Sequence, residues 1–232
     1  ALDYLKELDG KKASIVTGGS SMKKFGFLDK VKEILEQGGM EVQIIDGVEP
    51  DPSIKTCIEG GKKMAEFKPD WIVALGGGSA MDAAKTMWVY YEHPGYDFNR
   101  LANFENPPLR TRAKMACIAS TSGTASEITA FSVITDTESK IKYPLVHADF
   151  IPDVAIVDPE IPSKMPALIT AQTGMDVMTH AIESYVSTAA DDYTKPHSLR
   201  AIELVFDNLK KAYDNGDDLD AREKMHDAST LA

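Results

Sequence analysis

Trp71-Ile72-Val73-Ala74-Leu75-Gly76-Gly77-Gly78-Ser79 is the stretch that decides the fold. Its five leading apolar residues form a run of strand length without polar alternation, the pattern of a strand buried on both faces of a parallel sheet. Three glycines end the run, and residues 80–91 are then rich in helix formers until Pro94-Gly95. Where such a glycine loop opens a helix, the backbone can approach a bulky anion, and the helix N-terminus offers unpaired N–H groups and a favourable dipole. Gly76, Gly77, Gly78 and Ser79 are therefore candidate phosphate contacts. The loop matches neither GxGxxG nor the pattern ending in GK[ST]. A second reading stays open: a tight turn with Ser79 as N-cap and Asp82 three residues on, a capping box with nothing bound. Asp82 cannot favour a phosphate by charge, so its functional role would be to order the loop or to reach a ribose hydroxyl.

Outward from this stretch, strand-like runs alternate with helical patterns. Residues 13–17 are β-rich and stop at Gly18-Gly19, after which Leu28, Val31, Ile34 and Leu35 share one helical face. Residues 41–46 alternate like a strand, and Pro52 opens a second helix. Further strands are expected at 115–119, 131–135 and 154–157. From about Ser163 the β signal disappears. Residues 165–190 and 194–215 read as helices, the first broken at Gly174, and Pro159, Pro162 and Pro166 punctuate the change. The expected class is α/β: a Rossmann-like parallel sheet in the N-terminal domain, residues 1–162, followed by the start of an all-helical C-terminal domain, residues 163–232.

Composition narrows the function classes. The 232 residues carry a formal net charge of −11, which disfavours nucleic acid and anionic membrane as partners, because such binding relies on Lys and Arg neutralising phosphate. No apolar run approaches the ~18 residues of a membrane span. The N-terminus lacks the features of a secretory signal, and two cysteines, Cys57 and Cys117, fit a reducing compartment, so a cytoplasmic location is expected.

Three more features carry chemistry. Asp46 ends a strand before Gly47, where dinucleotide folds place an acid that binds the ribose 2′-OH and repels a 2′-phosphate; the alternative is an ordinary turn aspartate. The cluster Ser120-Thr121-Ser122-Gly123-Thr124-Ala125-Ser126 follows a strand at its carboxyl end, where open α/β sheets bind ligands. Asp176 and His180, at i and i+4, project from one helical face and can share a divalent cation or simply hydrogen-bond to each other. A catalytic metal needs at least three protein ligands, and no other histidine has a spacing that completes the set.

Residues 76–85 (GGGSAMDAAK), 120–127 (STSGTASE) and 174–183 (GMDVMTHAIE), in this order, resemble the signatures of the iron-containing, or group III, alcohol dehydrogenase family. Asp46-Gly47-Val48-Glu49-Pro50 resembles an EGVEP-like stretch of the family, and Tyr90-Tyr91-Glu92-His93-Pro94 is similar to clostridial-type butanol or ethanol dehydrogenases. The resemblance covers essentially the whole chain. It implies an NAD-dependent oxidoreductase, with NADP as the other cofactor, exchanging a hydride between a small-molecule alcohol or aldehyde and the nicotinamide. Gly77, Gly78, Ser79 and Asp82 would meet the pyrophosphate and nicotinamide ribose, and Ser120, Thr121 and Thr124 the adenine and pyrophosphate side. Lys142 would lie near the ribose and Leu168 in the adenine pocket. Asp176 and His180 would be the first two of four ligands to Fe²⁺ or Zn²⁺, the two histidines that complete the set being expected beyond Ala232. A homo-oligomer, a dimer, is also implied. The competing readings are a metal-less nucleotide-binding fragment or assembly module, and a glycerol dehydrogenase or dehydroquinate synthase.

Overall fold

The computed structural model describes residues 1–232. Seven strands and eight helices follow in chain order: β1 (Lys12–Gly18), α1 (Ser21–Lys24), α2 (Phe27–Gln37), β2 (Glu41–Val48), α3 (Ile54–Phe67), β3 (Trp71–Gly76), α4 (Gly78–Glu92), α5 (Phe98–Ala102), β4 (Lys114–Ala119), β5 (Phe131–Asp136), β6 (Ile141–Val146), β7 (Val154–Ile156), α6 (Ala167–Val186), α7 (Thr194–Asp214) and α8 (Leu219–Leu231). No helix is long and apolar enough to cross a membrane. The chain divides into two compact units: Ala1–Ile118 with Ser126–Ile156, and Ala119–Ala125 with Val157–Ala232.

In the first unit the strands form a parallel sheet in the order β2-β1-β3-β4-β7. β3 is buried at every position, as an unbroken apolar run requires of a central strand with both faces covered. Helix α4 is buried along almost its whole length, from Ala80 to Glu92. It lies against α3 so closely that a Cβ on Gly61 would stand 2.5 Å from Tyr90 Cβ and 3.1 Å from the Met87 carbonyl oxygen.

Several elements depart from the sequence reading. Strand β2 does not end at Asp46 but continues to Val48, with Val16 opposite Ile45 and Gly18 opposite Val48. Asp46 and Gly47 together face one residue of β1, and the φ of +82° at Gly47 makes that bulge accessible at no steric cost. The helix expected from Pro52 starts at Ile54, because the Ser53 side chain accepts from Thr56 N and makes Ser53 the N-cap. Residues 131–136 are a strand, but not of the parallel sheet: β5 pairs antiparallel with β6, an element the sequence reading passed over. Most of β6 is exposed or half-buried, so it offers no continuous apolar signal.

The second unit packs α6, α7 and α8 around Val177, Leu204, Val205, Ala212, Ala221, Met225 and Ala228. Helix α6 runs through Gly174 without the expected break. The glycine marks a close crossing instead: a Cβ there would stand 2.3 Å from Leu209 Cδ1 of α7. Helix α8 was not visible in the sequence because its buried face carries Arg222, His226 and Ser229, which interrupt any apolar stripe. Arg222 is satisfied by the Gly216 and Met165 carbonyls and Thr170 Oγ1, and Asp218 caps the helix by accepting from Ala221 N. Cys57 and Cys117 are both buried and free.

Candidate functional site

The carboxyl end of β3 passes directly into α4. Gly76 has a φ of +156°, and a Cβ there would stand 2.8 Å from Ala80 Cβ. The N-cap is Gly77, not Ser79, and no side chain caps the helix. The amides of Ala80 and Met81 return to the Gly77 carbonyl, which leaves those of Gly78 and Ser79 ahead of the first intrahelical bond. The capping-box reading is therefore replaced by a bare helix start preceded by a glycine turn too tight for a Cβ. Two amides at a helix start that no side chain caps fit an anionic oxygen.

Ser79 serves a different end. Its Oγ accepts from Asp51 N at 3.4 Å, and the Asp51 carboxylate pairs with Lys142 of β6 at 2.7 Å. Asp51, which the sequence reading did not single out, thus joins two of the residues that it did. Its φ is +55°, a conformation that costs a non-glycine residue free energy. Asp46, in the bulge of β2, is exposed.

Asp82 faces the protein with both carboxylate oxygens. Oδ1 accepts from Ser126 Oγ at 2.7 Å and Oδ2 from Val133 N at 3.0 Å, while its carbonyl accepts from Ser132 Oγ at 2.8 Å. Beside it the fully buried Lys85 ammonium donates to the Thr129 and Phe131 carbonyls at 2.8 Å each, to Ser126 Oγ at 3.2 Å and to Thr129 Oγ1 at 3.3 Å. Burial pushes the Asp82 carboxyl up, opposed by its hydrogen bonds and by Lys85, and pushes the Lys85 ammonium down. Burial also raises Glu127, opposed by its own backbone N–H and by Lys85, and neither oxygen bonds to another residue. Lys85, Ser126 and Glu127 lie inside the quoted motifs, but nothing in the sequence says that they are buried together with Asp82.

In the second unit, Ser120 is buried, Thr121 half-buried and Thr124 exposed in the loop that follows β4. Ser122 Oγ lies 3.0 Å from His226 Nδ1, and the Gly123 carbonyl accepts from Ser229 Oγ at 3.1 Å, both bonds buried. Leu168, on the first turn of α6, is 66% exposed. Asp176 Oδ1 and His180 Nε2 stand 3.5 Å apart on α6, with side chains 40% and 47% exposed. That separation is long for a hydrogen bond. A carboxylate oxygen and an imidazole nitrogen on one face are donors that suit Fe²⁺ or Zn²⁺, and they fit as two ligands of a site. No third His, Cys, Asp or Glu joins them within this chain. Of the other histidines, His93 and His147 bond to the Pro108 and Pro107 carbonyls, and His226 is buried against Ser122.

Residues 1–159 match the family model for iron-containing alcohol dehydrogenase, and residues 170–232 match the model for the C-terminal part of the Fe-containing alcohol dehydrogenase family. The NADPH-dependent butanol dehydrogenase of Clostridium saccharobutylicum is 53% identical over 233 residues, covering 100% of this chain and 60% of that protein. Among solved structures, an archaeal halo-thermophilic alcohol dehydrogenase from a Red Sea brine pool superposes with a TM-score of 0.93 at 37% identity, covering 99% of this chain and 60% of that one. The iron-containing alcohol dehydrogenase of Thermococcus thioreducens does so with a TM-score of 0.90 at 32% identity, covering 99% and 61%. The chain therefore spans about three-fifths of the length of these relatives.

Proposed function

Because the chain belongs to the iron-containing alcohol dehydrogenase family, we propose that it takes part in hydride exchange between an alcohol or aldehyde and a nicotinamide cofactor. Residues 1–162 would hold the nucleotide and residues 163–232 would begin the metal domain. The observation that carries this reading is the bare start of α4: a tight glycine turn followed by two amides that no side chain caps. When bound, the metal would polarise the substrate oxygen and the cofactor would take or give the hydride. The chain's own residues supply binding and orientation. Gly76, Gly77, Gly78 and Ser79 receive the pyrophosphate on backbone N–H groups. Asp82, spent on Ser126 and Val133, keeps α4 and β5 in register beside that loop rather than touching phosphate. Lys142 neighbours the ribose, and Ser120, Thr121, Thr124 and Leu168 are further nucleotide contacts. Asp176 and His180 would supply one oxygen and one nitrogen to the metal.

We assign NAD as the cofactor on Asp46. An exposed carboxylate in the bulge near the end of the second strand accepts from a ribose 2′-OH and repels a 2′-phosphate. NADPH in the name of the butanol dehydrogenase favours the second reading, NADP. Titration with NADH and with NADPH, followed by nucleotide fluorescence enhancement, separates the two. Asp46→Gly should weaken the preference for NADH by about tenfold, the order of one lost charged contact. An unchanged ratio sinks the assignment of Asp46, and no enhancement with either nucleotide sinks the functional reading.

A further inference from the structure

The loop Ala119–Ala125 belongs to the same compact unit as the helices that follow it in sequence. Its conformation is held by groups of that unit. Ser122 Oγ and His226 Nδ1 are 3.0 Å apart, and Ser229 Oγ donates to the Gly123 carbonyl at 3.1 Å. His226 and Ser229 are i and i+3 on α8 and so present one face to the loop. Gly123 in turn lies against α6, where a Cβ would stand 2.8 Å from Thr173 Cβ. Ser122, His226 and Ser229 are each no more than 2% exposed, so water does not compete for these bonds. The loop closes at Ala125 with a φ of +48°, a conformation that costs an alanine free energy and persists only where its surroundings impose it.

His226 makes this one bond, and its Nε2 has no partner. Orphaned buried N–H groups are rarer than under-satisfied acceptors. The tautomer that donates from Nδ1 to Ser122 Oγ leaves only a lone pair unsatisfied at Nε2. The single hydrogen bond of this buried imidazole therefore goes to the loop that carries Ser120, Thr121 and Thr124.

We propose that His226 is a positioning residue for nucleotide binding: its bond to Ser122 sets the backbone path of Ala119–Ala125 and thereby places the hydroxyls of Ser120, Thr121 and Thr124. The inference rests on the assignment of this loop to the nucleotide. An Asn amide reaches the Nδ1 position of a histidine, whereas a Gln amide reaches Nε2, so the two amides separate the bond from mere bulk. His226→Gln and Ser122→Ala, in the full chain, should each raise amide exchange across 119–125 and the dissociation constant for NADH by about tenfold, the loss of one buried hydrogen bond. His226→Asn should restore both to within about threefold of native. The double variant Ser122→Ala/His226→Gln should be no worse than the more impaired single one, since both remove the same bond. Native exchange rates or a native dissociation constant in a folded His226→Gln variant overturn the role of His226. Should that variant not fold, Ser122→Ala decides by the same two readings. Absence of NADH binding by the native protein overturns the nucleotide reading itself, while native binding with unmoved constants in the variants overturns the role of His226 alone.

Discussion

Glu92 ends α4, at the opposite end from the glycine loop, and one substitution there tests how that helix is anchored. Its carboxylate is 4% exposed and accepts five hydrogen bonds. Oε1 takes Trp88 Nε1 at 2.8 Å, Arg112 N at 3.0 Å and Ala113 N at 3.2 Å; Oε2 takes Thr111 N at 3.0 Å and Thr111 Oγ1 at 2.7 Å. Residues 111–113 lead into β4, so this carboxylate ties α4 to the strand whose end opens into the second candidate loop. In Glu92→Gln the amide oxygen can keep the three donors at Oε1, but without the charge. Each bond then falls from about 2 to about 1 kcal/mol. The amide nitrogen points a donor at Thr111 N, and orphaning that N–H costs at least a further ~1 kcal/mol. The expected loss is about 4 kcal/mol near neutral pH. Burial alone would raise the Glu92 carboxyl, yet the hydrogen bonds from Thr111, Arg112 and Trp88 hold it below the ordinary 4.5. A depressed carboxylate stabilises the fold above its unfolded pKa and loses that contribution as pH falls through the folded one. The gap between native and Glu92→Gln proteins should therefore close progressively below pH 4.5. Urea unfolding followed by tryptophan fluorescence reads this directly, because both tryptophans, Trp71 and Trp88, lie in the first unit. A variant within about 1 kcal/mol of native at neutral pH, or a gap that persists in acid, would refute the reasoning.

Three other outcomes follow from the same geometry. Lys85→Met leaves the Thr129 and Phe131 carbonyls and the Asp82 carboxylate without their cation; a loss of about 3 kcal/mol is expected in the same unfolding assay, and native stability would show the network to be dispensable. Burial lowers His226 to about 4, opposed by Asp158, so the unfolded chain takes up a proton that the folded one refuses between pH 6.5 and about 4. Stability should fall with pH across that window by on the order of 3 kcal/mol, read by circular dichroism of the helices; a His226→Asn variant with the same slope contradicts this. In a full-length version carrying the remaining ligands, His180→Ala should lose Fe²⁺ or Zn²⁺ on dialysis, as measured by elemental analysis; retention would make the Asp176 and His180 pair purely structural.

The parallel sheet was legible in residues 71–75 because a strand covered on both faces needs no polar position, and the helix that follows was legible from its helix formers. The hairpin was not, since β6 is exposed or half-buried over most of its length and owes its place to pairing with β5. Gly174 misled because a glycine permitted by a close helix crossing and a glycine that breaks a helix look alike in sequence. Helix α8 stayed hidden for the opposite reason: its buried positions are polar, and they are tolerable only because Thr170, Met165, Gly216, Ser122 and Gly123 supply partners from elsewhere in the chain.

The candidate site divides along the same line. Local order alone determined the glycine loop, the strand before it and the i, i+4 pairing of Asp176 with His180, since each depends on residues within a few positions of one another. Only the tertiary structure decided that Ser79 is not the cap of α4, that Asp82 and Lys85 are spent on a buried network with Ser126, Thr129 and the β5 backbone, and that His226 lies beneath the Ser120 loop. These are contacts between residues roughly 30 to 100 positions apart. Such contacts exist only after the chain has met the cost of closing the loops between them, and no local pattern records where it will do so.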